Sequence, residues 1–66
     1  MKKFYIKERH NPQLGVYYVL YGQLTKKDAK NKEKSLYGQN IIISYDTIED
    51  YNKAILTFKE EGHRVQ

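Results

Sequence analysis

Residues 14–23 read LGVYYVLYGQ, a run dense in β-branched and aromatic side chains that favours the extended backbone of a strand. Val16, Tyr18 and Leu20 fall on one side of the pleat, and Tyr17, Val19 and Tyr21 on the other. The strand is therefore apolar on both faces. One face is expected to meet helices. The other either is filled because the strand is central in a small sheet, or stands open as an aromatic surface that Tyr5 extends. The first reading leaves tyrosine hydroxyls in water around a core strand. The second makes Tyr5, Tyr17, Val19 and Tyr21 candidates for a protein contact.

The residues before this strand supply its partner. Lys2 to Glu8 (KKFYIKE) alternates, with Phe4 and Ile6 on one side and Tyr5 on the other. Arg9 to Gly15 (RHNPQLG) breaks the pattern with turn chemistry, because Pro12 fixes φ and Gly15 can take φ > 0. A β-hairpin follows from the two strands and their turn.

Downstream, Thr25 is placed to cap a helix that starts near Lys26, with Asp28 at its third position and Leu24 and Ala29 flanking as a weak hydrophobic staple. That helix is expected to pass through Leu36 and to stop at Gly38. Asn40 to Tyr45 (NIIISY) is a β-branched apolar run and reads as a buried strand. Asp46 or Thr47 then caps a second helix. In it Ile48, Tyr51, Ala54, Ile55 and Phe58 recur at steps of three or four and form the core-facing stripe, while Leu56 points almost opposite. Gly62 ends this helix, and His63 to Val65 can add a short edge strand.

The tetrapeptide LYGQ occurs at residues 20–23 and again at 36–39. The first copy ends a strand, with Gly22 marking a bulge or a bend, and the second ends a helix. Without matching apolar positions between them, an internal repeat is rejected. The expected fold is a single α+β domain over residues 1–66: a sheet of three or four strands in the order β-β-α-β-α, with an optional final β, and both helices packed on one face.

Composition narrows the functional classes. The 66 residues include no cysteine, so neither a disulfide framework nor a thiolate zinc site supplements the core, and a reducing, cytoplasmic location is expected. Lys7 to His10 interrupt the region where a signal peptide requires about 7 to 15 apolar residues. No segment is long and apolar enough to span a bilayer. The abundance of Lys, Asn, Ile and Tyr fits an AT-rich coding sequence, of the kind low-GC bacteria and their mobile elements carry.

Charge is uneven. Residues 1–34 hold nine Lys/Arg against three Asp/Glu, and residues 35–66 hold three against five, for a net +4 overall. Such asymmetry suggests an acidic partner. Lys26, Lys27, Lys30 and Lys34 form a ridge on the first helix that could attract phosphate, although a lysine run is also what a solvated helix face looks like. Ten of the twelve basic residues are Lys, which lacks the bidentate fork that reads guanine, so nucleic-acid binding would be unspecific.

His10 and His63 have no companion at metal-ligand or base-and-orienter spacing, and Ser35 and Ser44 lack a nucleophile motif. No catalytic residue, metal or cofactor is expected. The expected function is that of a non-catalytic protein-binding module or small regulator using the tyrosine-bearing face, with Leu56 as a further contact to a protein partner or a second copy. The alternative is a nucleic-acid-associated accessory protein using the four lysines and the tyrosines.

Overall fold

A computed structural model describes residues 2–33 and 39–66. Strands β1 (Lys2–Asn11) and β2 (Gly15–Thr25) are followed by helix α1 (Lys26–Glu33), strand β3 (Gln39–Tyr45), helix α2 (Ile48–Glu60) and the short strand β4 (Arg64–Val65). The α+β class and the element order are those read from the sequence, and the optional last strand is present. Leu36 and the expected stop at Gly38 lie outside the described residues.

The sheet runs in the order β3-β1-β2-β4. β1 is antiparallel to both β2 and β3, and β4 is parallel to β2. β1 is thus flanked on both sides, and its middle is buried on both faces: Tyr5, Ile6 and Lys7 are 7%, 0% and 7% exposed.

The two helices lie on opposite faces, which corrects the expectation that they share one. Ile6 belongs to the cluster formed with Tyr18 and with Tyr51 of α2, whereas the next residue, Lys7, reaches α1 by donating from Nζ to the Lys32 carbonyl at 3.0 Å. Adjacent strand residues point to opposite faces, so α1 and α2 must be on opposite sides. Handedness explains why. α1 carries the chain from β2 past β1 to β3, and α2 carries it back across the whole sheet to β4. Parallel crossovers travelling in opposite directions keep the same right-handed sense only by passing over opposite faces.

Local chemistry sets the element ends. In the hairpin, the Asn11 side chain accepts from Gln13 N at 2.8 Å and Leu14 N at 3.0 Å, and Gly15 takes φ +81°. Thr25 caps α1 by accepting from Asp28 N at 3.2 Å, and Thr47 caps α2 by accepting from Asp50 N at 3.1 Å. At the other end of α2, Gly62 has φ +84°, His63 N donates to Phe58 O and Gly62 N to Lys59 O. These two bonds make a Schellman motif.

The α2 face of the sheet packs Phe4, Ile6, Val16, Tyr18, Leu20 and Tyr45 against Tyr51, Ala54, Ile55 and Phe58. Phe58 stacks on Tyr18 with ring centroids 3.8 Å apart and planes within 5°. Ile48 departs from the expected stripe, being 44% exposed. It is the first residue of the helix, which reaches the sheet only with Tyr51, beside Phe4 and Tyr45. Leu56 is exposed, as its position on the helix implies.

Of the two roles expected for Gly22, a bulge or a bend, the structure shows the bulge. The β1–β2 register slips between Tyr5 and Ile6, whose partners are Gly22 and Leu20, and Gly22 takes φ +68°. Its N–H, displaced from the ladder, donates to the Tyr51 hydroxyl at 3.0 Å. Tyr51→Phe keeps the ring contacts and deletes this acceptor. It is expected to lower stability by about 1 kcal/mol, the usual net worth of a hydrogen bond at a half-buried group, seen as a lower urea midpoint. A wild-type midpoint would mean that water satisfies the bulge.

Candidate functional site

Odd-numbered residues of β1 lie on the α1 face, so Lys3, Tyr5, Lys7 and Arg9 form one row beneath that helix. α1 covers the row with Ala29, which is 4% exposed. Between α1 and β3 a groove of about 530 Å³ remains, lined by Lys3, Lys26, Lys30, Tyr5, Ala29, Ile42 and Ser44. Tyr5, Ala29 and Ile42 give it apolar walls, and three ammonium groups border them. Lys3 also meets Asp46 at 3.2 Å, but the pair is largely exposed and contributes little.

Four of the five expected protein-contact residues share this face, but as filling and not as an open platform. Tyr5 and Tyr17 are 7% and 8% exposed, and Val19 and Tyr21 are half-buried. The Arg9 guanidinium carbon sits 6.0 Å from the Tyr17 ring centroid, and Lys32 Nζ sits 5.7 Å from that of Tyr21, so each ring already has a cation of its own chain against it. Leu56 is in the other layer, on α2. Lys26, Lys27 and Lys30 are exposed along α1, and Lys34 lies outside the described residues.

Lys7 escaped the sequence reading. Burial, followed by the nearby charges of Arg9 and Lys32, holds its ammonium below the usual lysine value. Its bond to Lys32 O falls in the last turn of α1, where helix carbonyls lack intrahelical partners and attract cations. The alternation Lys3, Tyr5, Lys7, Arg9 was the available signal. It needed only the knowledge that both faces of β1 are covered.

The opposite face holds a second polar cluster. Glu8 follows Phe4 and Ile6 on the core side of β1, facing Tyr18 in register. One carboxylate oxygen accepts from the Tyr18 hydroxyl at 2.9 Å and the other meets His10 Nε2 at 2.9 Å. The His10 contact, against the opposing effect of burial, keeps Glu8 below the usual carboxylate range. Tyr18 is also flanked edge-on by His63, with centroids 5.4 Å apart. The carboxylate is occupied on both oxygens by its own chain, which suits a structural tie. Among the described residues no group of three His, Asp or Glu side chains is placed to hold a metal, and no helix is long and apolar enough to cross a membrane.

Comparisons with protein-family models, curated proteins and solved structures find no match to this chain.

Tyr18 gives a pH test. Burial, then the bond to Glu8, pushes its hydroxyl from the usual 10 up to about 12. Because the folded value is the higher one, the stabilisation is complete below pH 10 and is lost as pH rises towards 12. The loss is on the order of 2 to 3 kcal/mol for a shift of this size. Lys7, lowered in the fold, acts in the opposite sense at alkaline pH. Following tyrosinate absorbance and circular dichroism together should show the last tyrosine ionising as the fold is lost. In Tyr18→Phe the decline in stability over this window should shrink, and an unchanged decline would exclude Tyr18 as its source.

Proposed function

We propose that this chain is a non-catalytic, cytoplasmic protein-binding module whose contact surface is the α1-side groove, and that its partner is an acidic protein segment. The observation that carries the reading is the pairing of three lysines, Lys3, Lys26 and Lys30, with an apolar wall of Tyr5, Ala29 and Ile42. Carboxylates of a partner would meet the ammonium groups, and one apolar side chain would sit between α1 and β3. Charge steers such an encounter and desolvated apolar contact holds it.

The lysine ridge on α1 favours nucleic acid as a second reading. It is the weaker one, because single-strand binders stack bases on exposed ring faces, whereas Tyr5 and Tyr17 are buried and Lys32 already lies against Tyr21. What remains is diffuse phosphate attraction.

A heteronuclear NMR titration with a Glu/Leu-rich peptide and with a single-stranded oligonucleotide separates the two. At about 0.15 M salt the peptide should shift the amides of Ala29, Ile42 and Ser44, and the double substitution Lys26→Glu, Lys30→Glu should weaken it at least about tenfold, some 1.4 kcal/mol. The oligonucleotide should bind only at low salt, with a log–log slope of about −2 for three lysines at about −0.7 each. Submicromolar oligonucleotide binding at that salt, without a peptide response, would reverse the ranking.

A further inference from the structure

The two edges of the sheet are guarded very differently. β4 is two residues long and carries Arg64, both of which discourage pairing with a foreign strand. β3 runs seven residues, QNIIISY, without a charge or a proline, and no described strand pairs with its outer side. Natural edges of this length are normally blunted by charge, proline, a bulge or a cover. Ile41 remains 47% exposed on the α2 side, where an open groove of about 460 Å³ separates α2 residues such as Asp50, Lys53 and Thr57 from the end of β3.

We propose that β3 is the seam of a homodimer, in which two copies pair their β3 strands antiparallel about a twofold axis at Ile42 and join their sheets into one. The occupant is a second copy because the strand is complementary to itself. Antiparallel pairing about Ile42 sets Ile41 opposite the partner's Ile43 on the α2 face, and Asn40 opposite the partner's Ser44 on the α1 face. Ile42 meets the partner's Ile42, and only the end pair, Gln39 with the partner's Tyr45, joins a polar residue to an aromatic one; β3 carries no charge, so no charged residue meets its like along the seam. A shift by one residue would turn every side chain of one copy to the wrong face. Lys3 lies on β1 beyond the Phe4–Tyr45 pair, so it and its counterpart would fall at opposite ends of the seam and more than three strand spacings, about 14 Å, apart, beyond the screening length of about 8 Å at physiological salt.

The proposal stands apart from the peptide reading, although Ile42 and Ser44 border the groove and pairing would bring two basic grooves to one face. A stable interface buries roughly 800 Å² per partner, about a sixth of this chain's 4940 Å². A seam of one strand offers less, so dissociation in about the micromolar range or weaker is expected.

Two experiments on the full chain test it. Sedimentation equilibrium from roughly 1 μM to 1 mM should show the wild type approaching two chains, while Ile41→Lys, at an exposed position, stays at one chain with unchanged circular dichroism. The chain has no cysteine, so single-cysteine variants report register. Ile42→Cys should form a disulfide dimer under mild oxidation, because directly opposed residues are about 4.5 to 5.5 Å apart at Cα, within the disulfide range. Ile41→Cys, offset from its own counterpart, should cross-link far more slowly. A one-chain wild type at every concentration would overturn the proposal. So would a dimer that survives Ile41→Lys, a dimer abolished by Leu56→Lys instead, or equal cross-linking at 41 and 42. If Ile41→Lys fails to fold, the cysteine pair still decides, and the peptide titration reports separately on the groove.

Discussion

The hydrogen bond from Gly22 N–H to the Tyr51 hydroxyl joins the bulge of the β1–β2 ladder to the helix that covers it. The extra residue in β2 shifts the pleat, so that Leu20 faces α2 but Leu24 pairs beside Lys3 on the α1 side. Without the bulge, Leu24 would point towards α2 and the residues leading into α1 would leave the sheet with the wrong orientation. Tyr51 also touches Phe4 and Tyr45, so one side chain fixes the bulge and holds β1 and β3 against α2. A glycine that permits the turn and a phenol that satisfies its stray donor make a single device, built from residues 29 positions apart.

The covering of both faces follows from the same sequence that suggests an open one. The stretch from Val16 to Tyr21 was legible as apolar on both sides, and the turn at Asn11–Gly15, the caps at Thr25 and Thr47 and the stop at Gly62 are local signals that survive in the fold. What the sequence did not disclose was where α1 would lie, because that depends on β3 pairing outside β1 and not outside β2. Once β1 is central, the second crossover must return over the other face, and Tyr5 and Tyr17 become core. The candidate site changed for the same reason. Residues read as a platform fill the space under α1, and the accessible chemistry moves to Lys3, Lys26 and Lys30 at the rim. Lys7 and Glu8 were invisible as partners because their contacts, Lys32 O and Tyr18, are set by packing across the sheet.

Layering also sorts charge. The α1 side carries the β1 row of Lys3, Lys7 and Arg9 beneath the lysines of α1, whereas α2 has Glu49 and Asp50 in its first turn and ends at Glu60, with Glu61 as its C-cap. The net +4 of the chain is therefore a difference between two unlike faces. An acidic molecule approaching from solution would be drawn to one side of the sheet and repelled from parts of the other.

The position of β1 has a consequence for how the fold assembles. Only the β1–β2 pairing is local, closed by the three residues between Asn11 and Gly15; β3 and β4 must each return across a helix to find their neighbours. Short loops close at small entropic cost and long ones pay more before any contact rewards them. Loop closure therefore favours the β1–β2 hairpin as the earliest contact, and the two-residue β4, with the shortest ladder, as the strand that opens most easily. A two-stranded hairpin is only marginally stable by itself, so β3 and the two helices that cover β1 are what make the pairing last.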